Sequence, residues 1–146
     1  MVSFLSSGPT LTESDIIELE RNLGYTLPAQ LREFYLRHNG GYTKENIYID
    51  EEGDDYEIQN FLQIGTGETS LPETIKRLTG QRHLLKPDMV PFARESGGNL
   101  YCISLDSGAV WVWSAEDVED STDAYSLIAN SLNEFISGLV TAEEAY

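Results

Sequence analysis

The segment Val90-Pro91-Phe92-Ala93-Arg94-Glu95-Ser96-Gly97-Gly98-Asn99-Leu100-Tyr101-Cys102-Ile103-Ser104-Leu105-Asp106-Ser107-Gly108-Ala109-Val110-Trp111-Val112-Trp113 holds three short apolar runs separated by two polar turns. Gly97, Gly98 and Asn99 tolerate the positive φ that a tight reversal needs, and Asp106-Ser107-Gly108 repeats the provision one strand later. The segment therefore predicts a three-stranded antiparallel meander. In its last run Trp111 and Trp113 alternate with Val110 and Val112, so one strand face carries the tryptophans and the other the valines. Both faces read as buried. The alternative is that one tryptophan edge is an exposed anchor, the kind of aromatic in which protein interfaces concentrate their binding energy.

Working outward, Thr12 with Asp15 three residues on forms a capping-box-like start, and Ile16, Leu19 and Leu23 recur at helical spacing with Ile17 beside them. Gly24 supplies the stop. Leu27-Pro28 opens a second helix with Leu31, Phe34 and Tyr35 on its apolar face, and Asn39-Gly40-Gly41 ends it and reverses the chain. Tyr42 to Ile49 reads as an extended stretch interrupted by an acidic run. Ile58 to Ile64 reads as a strand leading into Gly65-Thr66-Gly67, and a short helix starting near Leu71-Pro72 takes in Ile75 and Leu78 and ends by Gly80. Ser121 or Thr122 caps a final long helix whose face is Tyr125, Ile128, Leu132, Phe135, Ile136 and Leu139. Helices and strands are segregated along the chain rather than alternating. That order predicts an α+β fold, and 146 residues make a single domain spanning 1–146.

Charge is the second signal. Acids number 25 against 9 bases, for a formal net charge of −16, and the excess is concentrated. Residues 50–60 contain Asp50, Glu51, Glu52, Asp54, Asp55 and Glu57 and no base, and no Lys or Arg follows Arg94. Nucleic-acid binding draws most of its affinity from Lys and Arg neutralising phosphates, so direct DNA or RNA binding is disfavoured, and anionic membranes are disfavoured for the same reason. A basic protein partner is favoured, because complementary potentials steer encounter. The plainer alternative is that acidity only keeps the domain soluble. The first ten residues lack Lys and Arg and so do not make a signal peptide, no apolar stretch approaches a membrane span, and the single cysteine, Cys102, cannot form an internal disulfide. A soluble cytoplasmic protein is expected.

Residues able to carry chemistry are scarce. Groups titrating near neutrality or nucleophilic by nature are His38, His83 and Cys102. His38 stands beside a helix stop, where capping or packing accounts for it; His83 lies in a polar loop with Arg82; Cys102 sits in a strand, where a free cysteine behaves as a small buried hydrophobe. No catalytic residue is assigned. An EF-hand loop wants glycine sixth, whereas Gly53 is fourth from Asp50, so a solvated acidic loop is preferred and no metal is expected. Gly65-Thr66-Gly67 lacks a third glycine in register, and Glu68 opposes a phosphate, which leaves it a turn. No cofactor is implied.

Three features appear in order: Leu27-Pro28 with Phe34 and Asn39-Gly40-Gly41; Val90-Pro91-Phe92-Ala93 with Gly97-Gly98-Asn99-Leu100-Tyr101; and Ile128-Ala129-Asn130-Ser131-Leu132 with Phe135-Ile136. Together they resemble the SUKH superfamily, which groups the yeast Smi/Knr-type cell-wall synthesis regulator domain with bacterial immunity proteins. The resemblance runs from about Thr12 to Leu139. It implies helices packed around a largely antiparallel sheet, no enzymatic activity, and in bacteria a role as an antidote that binds and neutralises a toxin domain, often a nuclease or other nucleic-acid-modifying enzyme. The charge distribution adds a physical match, since an acidic antidote can cover the basic groove such an enzyme holds for its substrate.

The candidate partner-binding residues are Asp50, Glu51, Glu52, Asp54, Asp55 and Glu57 in one patch and Glu116, Asp117, Glu119, Asp120 and Asp123 in another, with Trp111 and Trp113 as aromatic candidates. The runner-up is a regulatory or scaffold domain of the cell-wall regulator type. A small hydrolase or metal-dependent enzyme using the acidic loop is a third reading, which a divalent ion held near Asp50 to Glu57 would revive. Oligomeric state stays open.

Overall fold

The predicted meander forms the centre of the sheet in the computed structural model, which describes residues 2–65, 70–81, 85–114 and 125–146. Strands β6 (Met89–Arg94), β7 (Leu100–Ser104) and β8 (Val110–Trp113) pair antiparallel in sequence order. Its turns fall where the glycines require them: Gly98 has φ 100° and Gly108 has φ 75°. Two further strands, β5 (Asn60–Phe61) beside β6 and β9 (Tyr125–Ala129) beside β8, complete the order β5-β6-β7-β8-β9. Pro91 sits opposite Cys102 where the β6–β7 register shifts between Pro91 and Ala93, an irregularity of the kind at which a strand accommodates a residue that lacks an N–H.

The helices follow the punctuation of the chain. Helix α1 (Glu13–Leu23) starts in a complete capping box, with Thr12 Oγ1 accepting from Asp15 N–H and the Asp15 carboxylate accepting from Thr12 N–H at 2.8 Å, and ends on Gly24 in the left-handed region. Helix α2 (Ala29–Arg37) begins one residue later than expected, with Pro28 as its N-cap. Arg32 of α2 reaches back to Glu13 at 2.9 Å and Glu20 at 3.8 Å, and Glu20 also accepts Leu27 N–H at 2.7 Å, which fixes the angle between the two helices.

The reversal after α2 is tighter than its sequence suggests. Asn39 is buried, and its amide donates to Pro9 O and Ile64 O while its oxygen accepts from Ile64 N–H. One side chain thus ties three segments. Gly41 has φ 108°, and a Cβ there would lie 2.0 Å from Ser6 O, so no other residue fits without moving the backbone. That close approach belongs to a ribbon absent from the expectations, β1 (Phe4–Ser6) against β2 (Tyr42–Thr43), which the Gly41–Phe61 bridge joins to the main sheet. Downstream, β3 (Ile47–Ile49) and β4 (Asp55–Glu57) form a separate hairpin, and α3 (Leu71–Ile75), capped by Ser70, runs into a π-helical turn over Lys76–Gln81.

The sheet is buried on both faces, as the alternation in β8 predicts. Val90, Phe92, Tyr101, Ile103 and Val110 face the main core with the residues of α1 and α2, where ring contacts run in a chain from Phe34 through Phe61, Phe92 and Phe135 to Tyr101. Met89, Leu100, Cys102 and Trp113 face a smaller cluster closed by Leu78 and Leu85, with Trp111 and Tyr125 at its margin. Trp113 is 4% exposed. Packing therefore accounts for it, and it is not a free surface anchor.

The C-terminal third departs from expectation. No long helix runs from Tyr125 to Leu139: Tyr125–Ala129 is strand β9, and only Leu132–Ser137 is helical, as α4. The cause is local and competitive. Ser131 Oγ accepts from Glu134 N–H, and the Glu134 carboxylate accepts from Asn130 N–H at 3.2 Å, so a new helix must begin after Ser131. The residues before it pair with β8, Trp113 opposite Tyr125 and Val112 opposite Ser126. Residues 121 and 122, the expected cap, lie outside the described residues. A short helix α5 (Ala142–Ala145) follows. Among the described residues no helix is long and apolar enough to cross a membrane.

Candidate functional site

The first acidic patch is the tip of the β3–β4 hairpin, and the structure divides its six acids by role. The hairpin pairs Ile47 with Glu57, Tyr48 with Tyr56 and Ile49 with Asp55. Its turn is held by Asp50, whose Oδ1 accepts from Glu52 N–H at 3.0 Å and Asp54 N–H at 2.9 Å, while its Oδ2 accepts from the Tyr56 hydroxyl at 3.3 Å. Gly53, φ 88°, completes the turn. Burial, and then the negative charge of Asp50 and its hydrogen bond, push the Tyr56 hydroxyl up to about 12, so it stays a donor throughout the neutral range.

At the other end of β4 the Glu57 carboxylate accepts from Ser96 N–H at 3.1 Å and from Ser96 Oγ at 2.9 Å, and its backbone carbonyl accepts from the buried Tyr101 hydroxyl at 2.6 Å. Asp55 accepts from the Tyr146 hydroxyl. Asp50, Asp55 and Glu57 therefore brace the hairpin. Glu51, Glu52 and Asp54 are exposed, and among the described residues their carboxylates have no partner. The meander is the hairpin's anchor through Ser96 and Tyr101. Further support comes from Tyr48, whose ring lies tilted against Phe135 at 4.9 Å, and from the paired backbone groups of Ile47 and Val140.

The braced tip stands opposite β9. Between them lies an open groove of about 330 Å³, lined by Asp50, Glu52, Asp54 and Tyr56 on one side and by Ser126, Leu127 and Glu134 on the other. Leu127 is 51% exposed. Sequence reasoning missed this wall because it placed Tyr125 to Ala129 in a helix. The signal that could have found it is Ser131 followed three residues later by Glu134, a helix-start signature immediately after the segment.

The other candidates resolve differently. Glu116, Asp117, Glu119, Asp120 and Asp123 lie outside the described residues, as does His83. Trp111 is half-buried, and its indole Nε1 is buried with no partner among the described residues. His38 stacks on Phe4 at 4.2 Å with an interplanar angle of 18°, a packing role. Cys102 is wholly buried, and burial pushes its thiol well above the ordinary range, which keeps it protonated and poorly nucleophilic. Among the described residues no group of three or more His, Cys, Asp or Glu side chains converges as metal ligands would. The hairpin and groove thus offer charge, a strand edge with no strand partner among the described residues, and two exposed apolar side chains, Ile49 and Leu127.

Comparison with known proteins agrees with the architecture. A solved protein from Pseudomonas syringae pv. tomato superposes with a TM-score of 0.53 at 18% identity, over 77% of this chain and 74% of that one, a likeness of fold. In sequence the chain is 27% identical to the SPbeta prophage-derived uncharacterized protein YokK of Bacillus subtilis (strain 168), over 88% of this chain and 74% of the relative. Residues 10–138 match the SMI1 / KNR4 family (SUKH-1), which takes in both helices that open the fold, the whole meander and α4. With that match covering residues 10–138, a span that contains both the Asn39-Gly40-Gly41 reversal and the meander, the chain belongs to the SMI1 / KNR4 family (SUKH-1).

Proposed function

We propose that this chain is a non-enzymatic immunity protein that acts in the cytoplasm, binding and neutralising a cognate toxin domain with a basic surface, a nuclease or another nucleic-acid-modifying enzyme. The observation that carries the reading is the presentation of Glu51, Glu52 and Asp54 on a hairpin braced at both ends, on a chain of net charge −16. Bracing matters because a preorganised carboxylate cluster loses little conformational freedom on binding. Family membership and the prophage origin named for the Bacillus relative are consistent with it. Glu116, Asp117, Glu119, Asp120 and Asp123 add to the chain's net negative charge.

The test begins with the product of the neighbouring gene, captured on the immobilised chain and then measured in solution across a salt series. Glu51→Lys, Glu52→Lys and Asp54→Lys together should slow association about tenfold or more at low salt while leaving the melting temperature near that of the parent. Binding that ignores both salt and the three reversals would defeat the electrostatic reading. A neighbour unrelated to toxins would favour the regulatory or scaffold role instead.

A further inference from the structure

Strand β9 ends the sheet, so one row of its backbone N–H and C=O groups has no strand partner among the described residues. Free edges are usually blunted by a proline, a lysine or an inward-pointing charge. Tyr125-Ser126-Leu127-Ile128-Ala129 carries none of these. The guard stands across the groove instead, in the carboxylates of Glu52 and Asp54 at the hairpin tip. This arrangement is selective. A second copy of the chain brings a net charge of −16 and is repelled, whereas an extended segment bearing Lys or Arg is drawn in and meets an unpaired ladder.

We infer that β9 is a strand-addition site. A basic extended segment of the partner pairs its backbone with the outer edge of β9, alternate Lys or Arg side chains reach Glu51, Glu52 and Asp54, and an intervening apolar side chain covers Leu127. Main-chain hydrogen bonds supply affinity, and the hairpin acids supply the sign of charge admitted. The inference rests on the toxin-binding reading for the identity of the partner, and names the surface and the form in which that partner is held.

The probe is the acetylated, amidated heptapeptide Lys-Thr-Lys-Val-Lys-Thr-Lys, added to the isotope-labelled full chain. Amide shift changes and slowed hydrogen exchange are expected at Tyr125–Ala129 and Asp50–Asp54. Two forms of the peptide, N-methylated at alternate residues in opposite registers, separate pairing from simple charge attraction. The form that blocks the donors facing β9 should bind at least about tenfold more weakly than the other, because each blocked donor leaves an edge acceptor unsatisfied. Glu52→Lys with Asp54→Lys should weaken the parent peptide by about tenfold at low salt, with an unchanged melting curve as the control for folding. No binding, equal binding of the two N-methylated forms, or shifts confined to other surfaces would each overturn the inference. With the neighbouring gene's product, a complex that leaves exchange at Tyr125–Ala129 unchanged overturns strand addition and spares the immunity reading. Peptide docking at β9 without any such complex does the reverse.

Discussion

Replacing Tyr101 by phenylalanine removes one oxygen from the joint between the meander and the acidic hairpin. The ring is 1% exposed and packs on Phe135 at 5.6 Å, contacts that phenylalanine keeps, so the cavity contribution is small. What disappears is the 2.6 Å hydrogen bond to the Glu57 carbonyl, at the foot of β4. A net hydrogen bond contributes about 1 kcal/mol, and an acceptor left buried without a donor raises the cost to about 2 kcal/mol. For a domain of this size each kcal/mol corresponds to about 2–4 °C, so Tyr101→Phe should lower the melting temperature by about 2–8 °C. Exchange should be the sharper assay. Ser96 still holds the Glu57 carboxylate, so the hairpin loosens without detaching, and amides of Ile47–Ile49 and Asp55–Glu57 should lose more protection than those of β6 and β7. A melting temperature within about 1 °C of the parent, with no selective loss at the hairpin, would refute the clamp. A drop several times larger, spread evenly over the sheet, would show that ring packing rather than the hydroxyl was disturbed.

Asn39→Ala removes three hydrogen bonds that join the Pro9 segment, the end of α2 and the chain at Ile64, and should cost about 3 kcal/mol in urea unfolding with an unchanged slope; a cost below about 0.5 kcal/mol would mean that water replaces the amide at no penalty. Alkali should destabilise the fold: burial, foremost, pushes the Tyr56 and Tyr125 hydroxyls up to about 12 and those of Tyr35 and Tyr101 higher still. Because these folded-state values lie above the unfolded value near 10, their contribution is fully present below about pH 10 and falls as pH rises, that of Tyr56 and Tyr125 being lost through about 12 and that of Tyr35 and Tyr101 above it. The urea midpoint should therefore fall over that window, alongside the tyrosinate absorbance; a midpoint that holds or rises would contradict the burial of these hydroxyls.

The elements that were legible in the sequence are those whose causes are close in the chain. Thr12 and Asp15 cap α1 because the groups that need capping are three residues away, and Gly98 and Gly108 turn the meander because only local sterics are at stake. The two-sided burial of β8 was equally legible, since alternation of Trp and Val follows from the pleat. The segment from Tyr125 to Leu139 was misjudged because its apolar spacing satisfies a helix equally well. Two things outside that spacing settled it: the Ser131–Glu134 cap that restarts the helix, and the open edge of β8 that claims Tyr125 to Ala129 as a strand.

The same division separates what composition could say about function from what it could not. An acid-rich run at Asp50 to Glu57 is visible in the sequence, and the sign of the local potential follows from it. The work each acid does is not visible, because the partners are distant: Glu57 meets Ser96, 39 residues away, and Asp55 meets Tyr146, 91 residues away. The sequence by itself determined the family, the meander and the charge. Only the tertiary structure decided which carboxylates brace the hairpin and which are exposed without a partner among the described residues, and that a strand edge with no strand partner among those residues lies across the groove from them. Those assignments depend on pairings between remote segments, which burial and unsatisfied backbone groups select once the chain has folded.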